Sequence, residues 1–257
     1  NDLVTYVRTR AVEAGNGAYT SAERASISAD LGQQFSALQS IANSQDSSGD
    51  YIFSGYRSNI QPFVGSMASG ITYQGDQGAR TLQISSSRNL PVTNSGDEIF
   101  NLIRAPSGSA FALSAAANTG SAMVSGTSLS GYNGHTYAVE VSAGPTYQVF
   151  DSTADPTHAS PIAPGVSTSG SDTTLSFGGV SMTLTGTPAA GDNYSLSTVA
   201  SSFDVIGNFV SALNSGNDKV NRFAVTQTIA GMDASQDSIS QVRSGVGSRM
   251  VEVDTQQ

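Results

Sequence analysis

The sequence has no cysteine and no tryptophan, and only one of its 257 residues is lysine, Lys219. The missing thiols exclude disulfides, thiolate zinc sites and thiol catalysis together. Charge is also scarce. Charged residues make up 12% of the chain, about half the usual quarter, and twenty acidic against eleven basic residues leave a net charge of −9. Nucleic acid requires clustered cations along its phosphates, so it is not an expected partner. No stretch approaches the roughly 18 uninterrupted apolar residues of a membrane span, so no membrane partner is expected either. Hydroxyls and backbone supply the polarity instead, through 42 Ser and 27 Gly. With 38% hydrophobic residues the composition is that of a folded chain, and its length allows one or two domains with real cores.

Proline divides the chain. All eight Pro lie between Pro62 and Pro188, and because Pro removes a helix hydrogen bond and clashes with the preceding turn, long helices are confined to the two flanks. In the first flank Val4, Val7, Ala11, Ala14, Ala18, Ala22, Ala25, Leu31, Phe35, Leu38 and Ala42 recur at steps of three and four, with Ser28 filling one gap. This spacing predicts one helix of about forty residues, on the order of 60 Å long. In the last flank Val225, Ile229, Met232, Ile239, Val242, Val246, Met250 and Val253 predict a second long helix with a coiled-coil-like stripe. A shorter amphipathic helix carries Phe203, Ile206, Val210 and Leu213. Long stripes of this kind need covering in water, so the two chain ends are expected to pack lengthwise on each other.

Between the flanks the period becomes alternating. Ile71 and Tyr73, then Thr81 and Gln83, flank Gly75–Gly78 and read as a hairpin. Residues 136–141, 146–150, 173–177, 180–184 and 194–198 read as strands of an antiparallel sandwich or barrel. Residues 105–200 hold five acidic residues and no Lys or Arg, which marks them as a separate insert. The expected architecture is therefore α+β and multidomain. Residues 1–104 and 201–257 form a discontinuous, antiparallel helical bundle with a β-hairpin, and 105–200 form an inserted all-β domain.

No enzyme signature is present. The two histidines, His135 and His158, lack a GxSxG partner or a metal-ligand spacing, even with Asp151 or Asp155 nearby. The acidic candidates Asp97, Glu98 and Asp192 sit in ordinary turn and cap sequences. Neither a phosphate loop, a dinucleotide loop nor a calcium loop occurs, so no cofactor is expected. Assembly material is present instead. The small residues of the first stripe permit close helix approach, and Arg8, Arg10, Arg24, Arg243 and Arg249 have Glu13, Glu23, Asp30 and Glu252 as possible partners.

The sequence Tyr51-Ile52-Phe53-Ser54-Gly55-Tyr56, then Gln61-Pro62-Phe63 and Tyr73-Gln74-Gly75-Asp76, resembles the hook-filament junction proteins of the bacterial flagellin family. Gly179–Pro188 followed by Gly191-Asp192 is similar to their inserted β domain, and Val246-Gly247-Ser248-Arg249-Met250 to their C-terminal helix. Glu23-Arg24 and Leu31 match positions of their first helix. The resemblance implies a structural flagellar component without an active site, exported without a cleavable signal peptide, that lies outside the cell and joins hook to filament. It implies as partners neighbouring copies in a ring, the adjacent hook-associated protein, hook-side or filament-side subunits, and an export chaperone. Arg8, Arg24, Asp30, Tyr51, Phe53, Arg243 and Arg249 are the candidate assembly residues. Family members carry further terminal helices, which hold the export and chaperone regions and are not seen here. The stripes run uncapped to Val4 and Val253, so the chain is expected to be a mostly monomeric piece of a longer protein. The alternative reading is an extracellular adhesin that holds a glycan on its β domain, with Tyr132, Tyr137 and Tyr147 as its aromatic candidates.

Overall fold

The computed structural model describes residues 1–85, 88–143 and 146–255. Two helices, α1 (Asp2–Ala14) and α2 (Ser21–Ala42), open the chain, and α3 (Ser202–Asn214) and α4 (Asp218–Asp254) close it. Antiparallel strands lie between them, so the chain is α+β with helices at both ends.

The single forty-residue helix expected at the start is broken in two. Gly15, Asn16 and Gly17 are poor helix formers, and Thr20 with Glu23 forms a capping box that starts a new helix. The Thr20 N–H donates to Glu23 Oε2 at 2.7 Å, and the Glu23 N–H donates back to Thr20 Oγ1 at 3.3 Å. From this turn α1 lies back along α2, where the Tyr6 hydroxyl donates to Asp30 Oδ2 at 2.7 Å. It also runs antiparallel to α4, with Arg8 against Asp233 and Gly15 against Val225. Val4, Val7, Ala11 and Ala14 are buried, while Ala18, Ala22 and Ala25 are exposed.

The lengthwise pairing of the chain ends thus holds for α1 and α4, whereas α2 packs on α3. Its seam residue Ser28 is buried and accepts a hydrogen bond from Asn214 Nδ2 at 2.9 Å. Small residues bring α3 and α4 close: a Cβ on Gly231 would press on Val205, and the Ser202 and Ser235 hydroxyls are 3.0 Å apart. Below them five aromatic rings converge from distant segments. Phe63 lies 5.3 Å from both Phe100 and Phe203, Phe35 is 5.5 Å from Phe203, and Phe53 is 5.5 Å from Phe100. Edge-to-face and tilted contacts of this kind add to the area they bury.

The hairpin expected across Gly75–Gly78 is not formed. Ile71–Tyr73 belong to β2 (Gly70–Tyr73), which pairs with β1 (Phe63–Ser66), and Thr81–Gln83 belong to β3 (Thr81–Ser85), which pairs with β4 (Arg88–Pro91). Gly65 and Gly70, both at positive φ, shape the first hairpin. A π-helical turn, Asp97–Asn101, then leads to β5 (Ile103–Arg104), which pairs with β14 (Val199–Ala200).

The remaining strands form two four-stranded antiparallel sheets. One has the order β6 (Phe111–Ser114), β13 (Asn193–Ser197), β8 (Tyr137–Ser142), β9 (Thr146–Asp151). The other has the order β10 (Gly165–Ser169), β11 (Asp172–Phe177), β12 (Val180–Thr185), β7 (Met123–Leu129). Val139, Val149 and Leu196 of the first sheet and Leu175, Met182 and Leu184 of the second share one core. That is the alternation of inward apolar residues expected of stacked sheets. Phe111, Leu113 and Met123 point the other way and join the helical core.

Candidate functional site

The motif Tyr51–Tyr56 is a loop folded around Tyr73 and Asp76. The Tyr73 hydroxyl sits between the carbonyls of Phe53 and Asp76, at 2.9 and 2.8 Å, with Ser95 Oγ at 3.1 Å. Burial pushes its pKa up. Asp76 Oδ1 accepts from the Tyr56 N–H at 3.0 Å and the Gly78 N–H at 2.7 Å, and these bonds hold its carboxyl below the usual carboxylate range. Gly55, at positive φ, lies so close to Asp76 that any Cβ would collide with it. Tyr51 is half-buried and bridged to Gln45, with its N–H donating to Ser58 O at 2.8 Å. Tyr51 and Phe53 therefore hold the loop and the aromatic cluster together.

The arginines behave differently from one another. Arg8 reaches Asp233 on α4 at 2.5 Å, a hydrogen-bonded pair that raises the Arg8 pKa. Asp30 receives Tyr6 and Arg10, the latter at 3.0 Å, and so fastens α1 to α2. Arg24 reaches Asp218 at 2.8 Å, across from α2 to the start of α4. Arg249 donates to Pro91 O at 2.8 Å and Asn94 Oδ1 at 2.7 Å, which ties the far end of α4 to the end of β4 and the segment after it. Glu252 pairs with Arg88, and Glu23 is taken by the capping box. Arg243 is exposed and has no acidic partner among the described residues. Of the seven candidates it is the one presented outward.

A groove of about 940 Å³ runs along α4, between Ile229, Ala234, Ser238 and Gly245 on one side and Leu102 and Pro106 on the other. Beyond it Val246, Met250 and Val251 are exposed, as are Leu82 and Val92 near the β3–β4 hairpin. The distal part of the predicted stripe is therefore open on this surface.

The titratable groups of the sandwich are engaged locally. Asp192 is 1% exposed; burial alone would raise its pKa, but the N–H groups of Ala189, Gly120 and Thr119 outweigh that and hold it low. His135 contacts Asp151 at 2.8 Å, and His158 lies between Ser152 Oγ at 2.9 Å and Glu140 at 3.3 Å while stacking on Phe150. No group of three metal-ligating side chains occurs among the described residues. Tyr137 and Tyr147 are buried in the sandwich core, and the Tyr132 hydroxyl donates to the His135 carbonyl.

No family model matches the sequence. Over 106 residues, 40% of the chain, it is 37% identical to flagellar hook-associated protein 3 of Salmonella typhimurium. Over 104 residues it is 33% identical to the same protein of Escherichia coli. Each match spans 32% of the relative's length. The fold of nearly the whole chain is similar to Xanthomonas campestris FlgL, with a TM-score of 0.63 and 27% identity over 99% of this chain and 84% of that one. It also follows the flagellar junction protein FlgL of Legionella pneumophila, with a TM-score of 0.63 and 24% identity over 99% and 87%. The sequence likenesses are to flagellar hook-associated proteins. Among these the similarity is to hook-associated protein 3, FlgL, as the Tyr51–Asp76 motifs suggested.

Proposed function

We propose that the chain is a structural, non-enzymatic part of the bacterial flagellum, located outside the cell at the junction of hook and filament, where it adapts one to the other. The observation that carries this reading is the coincidence of two likenesses. The sequence is 37% identical to a hook-associated protein 3 over 40% of the chain, and the fold follows FlgL over 99% of it. Its neighbours would be copies of itself in a ring, the adjacent hook-associated protein, and hook-side or filament-side subunits; an export chaperone would meet it before assembly. Arg243 and the open groove on α4 are the surface offered to them. We divide the chain into a helical part, 1–104 with 201–257, and an inserted β domain, 105–200. The two separate cores support this division, and Phe111, Leu113 and Met123 cross between them. No observation favours the adhesin reading.

The test is complementation. A gene encoding this chain in its natural context, placed in a flagellated strain that lacks hook-associated protein 3, should restore filaments on hooks and swimming. Bare hooks, with the protein exported but absent from them by electron microscopy, would overturn the proposal.

A further inference from the structure

Among the described residues, His158 is the one non-glycine at positive φ, at 52°. Such a backbone is unfavourable and persists only where its surroundings hold it. Here Asp155, in the loop between β9 and β10, holds it. Its carboxylate accepts from the N–H groups of Thr157 at 3.2 Å and Ser160 at 2.8 Å, and its carbonyl from the His158 N–H at 3.2 Å. Further along, the Ile162 N–H donates to Val149 O at 2.6 Å and fastens the loop to the edge of β9. Val139 and Val149 face the sandwich core, so their neighbours Glu140 and Phe150 face the other way. The His158 ring covers Phe150 from outside, with the two ring centroids 4.8 Å apart and the planes 5° from parallel.

The same ring stands between two polar side chains. Its Nδ1 is 3.3 Å from Glu140 Oε1 on β8, and its Nε2 is 2.9 Å from the Oγ of Ser152, the residue after β9. A carboxylate only accepts, so Nδ1 carries the proton, and in the neutral ring Nε2 is left to accept from the Ser152 hydroxyl. Carboxylate, imidazole and hydroxyl in this order are the arrangement that turns a serine into a nucleophile. All three side chains are partly open to solvent.

We propose that Ser152 is a site of covalent acylation, accepting an acyl group from an aryl ester or a thioester. Ser152 Oγ attacks the acyl carbon while its proton passes to His158 Nε2. The bond from that carbon to the leaving oxygen or sulfur breaks, the electron pair departs with the leaving atom, and the proton follows it or passes to water. Glu140 is a positioning residue that fixes the tautomer and the ring. The N–H groups around Ser152 are already committed: its own to Thr136 O at 2.8 Å, and those of Thr153 and Ala154 to Asp151 Oδ1 at 3.1 and 3.0 Å. Without such donors the oxyanion is poorly stabilised. Only a good leaving group therefore serves, and the acyl-serine accumulates as a modification of the chain instead of turning over.

The experiment is to incubate the purified chain with p-nitrophenyl acetate, follow the absorbance of p-nitrophenolate, and locate acetyl groups by tandem mass spectrometry. We expect a burst without sustained turnover and an acetyl group on Ser152. Ser152→Ala should abolish that label, and His158→Asn should slow it on the order of a hundredfold, with folding of each variant checked by circular dichroism. Glu140→Gln should slow it less and shift the His158 ring nitrogen NMR signals towards the other tautomer, which a merely structural role would not do. Unfolding in urea should remove the preference for Ser152, because Glu140 and His158 then leave it. Acetyl groups spread over many hydroxyls, acetyl groups confined to Lys219 and the amino terminus, or equally fast labelling of Ser152 in folded His158→Asn would overturn the proposal. Each of these results would leave the flagellar reading untouched.

Discussion

Asp192 keeps its charge inside the protein because three backbone N–H groups point at it. Its ionisation is therefore linked to stability. The folded-state pKa of Asp192 is depressed, so its contribution is present above the unfolded carboxylate pKa and lost as pH falls through the folded one. Replacing it by Ala strands the amides of Thr119, Gly120 and Ala189, and should cost about 3 kcal/mol at pH 7. Urea unfolding at pH 7 and pH 3 should show that difference shrinking in acid.

Among the elements, the junction of α1 and α2 shows how a local signal redirects a long apolar period. The stripe continues through Ala18, Ala22 and Ala25, but alanines with nothing to cover them hold a helix only by propensity, and Gly15, Asn16 and Gly17 remove that. The capping box then makes the break the more stable local arrangement. Thr20→Ala should lower stability by about 1 kcal/mol, measured by denaturant unfolding, while Thr20→Ser should be nearly neutral. An unchanged midpoint in the Ala variant would mean that packing, not the cap, sets the break. The same comparison explains the strands. The strands Tyr137–Ser142, Thr146–Asp151, Asp172–Phe177, Val180–Thr185 and Asn193–Ser197 were legible because each alternates over five or six residues between turn signals. The pairing of β2 with β1 rather than with β3 was not legible, because Gly75–Gly78 looks like a turn until Tyr56 and Asp76 fill it.

At the scale of the whole molecule, two cores share a border made by Phe111, Leu113 and Met123, with Gln227 accepting from the Ala112 N–H at 3.2 Å and Lys219 pairing with Asp172 at 2.7 Å. Replacing residues 105–200 by a short Gly-Ser linker removes those three side chains from the helical core. The remaining chain should keep its helical circular dichroism and melt cooperatively, at a lower temperature than the intact chain. Loss of the helical signal would show that the division proposed above does not describe independent folding units.

By itself the sequence determined where helices and strands can lie, because proline placement, apolar period and turn residues act over a few neighbours. It also carried the Tyr51–Asp76 motifs, whose glycines and tyrosine are demanded by contacts within that loop and which resemble those of hook-filament junction proteins. Tertiary structure alone decided which faces are covered. Arg8, Arg24 and Asp30 are occupied in holding helices together, Tyr51 and Phe53 in holding a loop and Arg249 in tying α4 to Pro91 and Asn94, while Arg243 is left outward, though the four arginines are the same residue type. The cleft between the helices and the sandwich had no sequence signal, since its walls come from α2, the first hairpin, β6, β7 and α3. A carboxylate's environment is set by whatever surrounds it in space, and segments separated by more than a hundred residues meet only once the chain has folded.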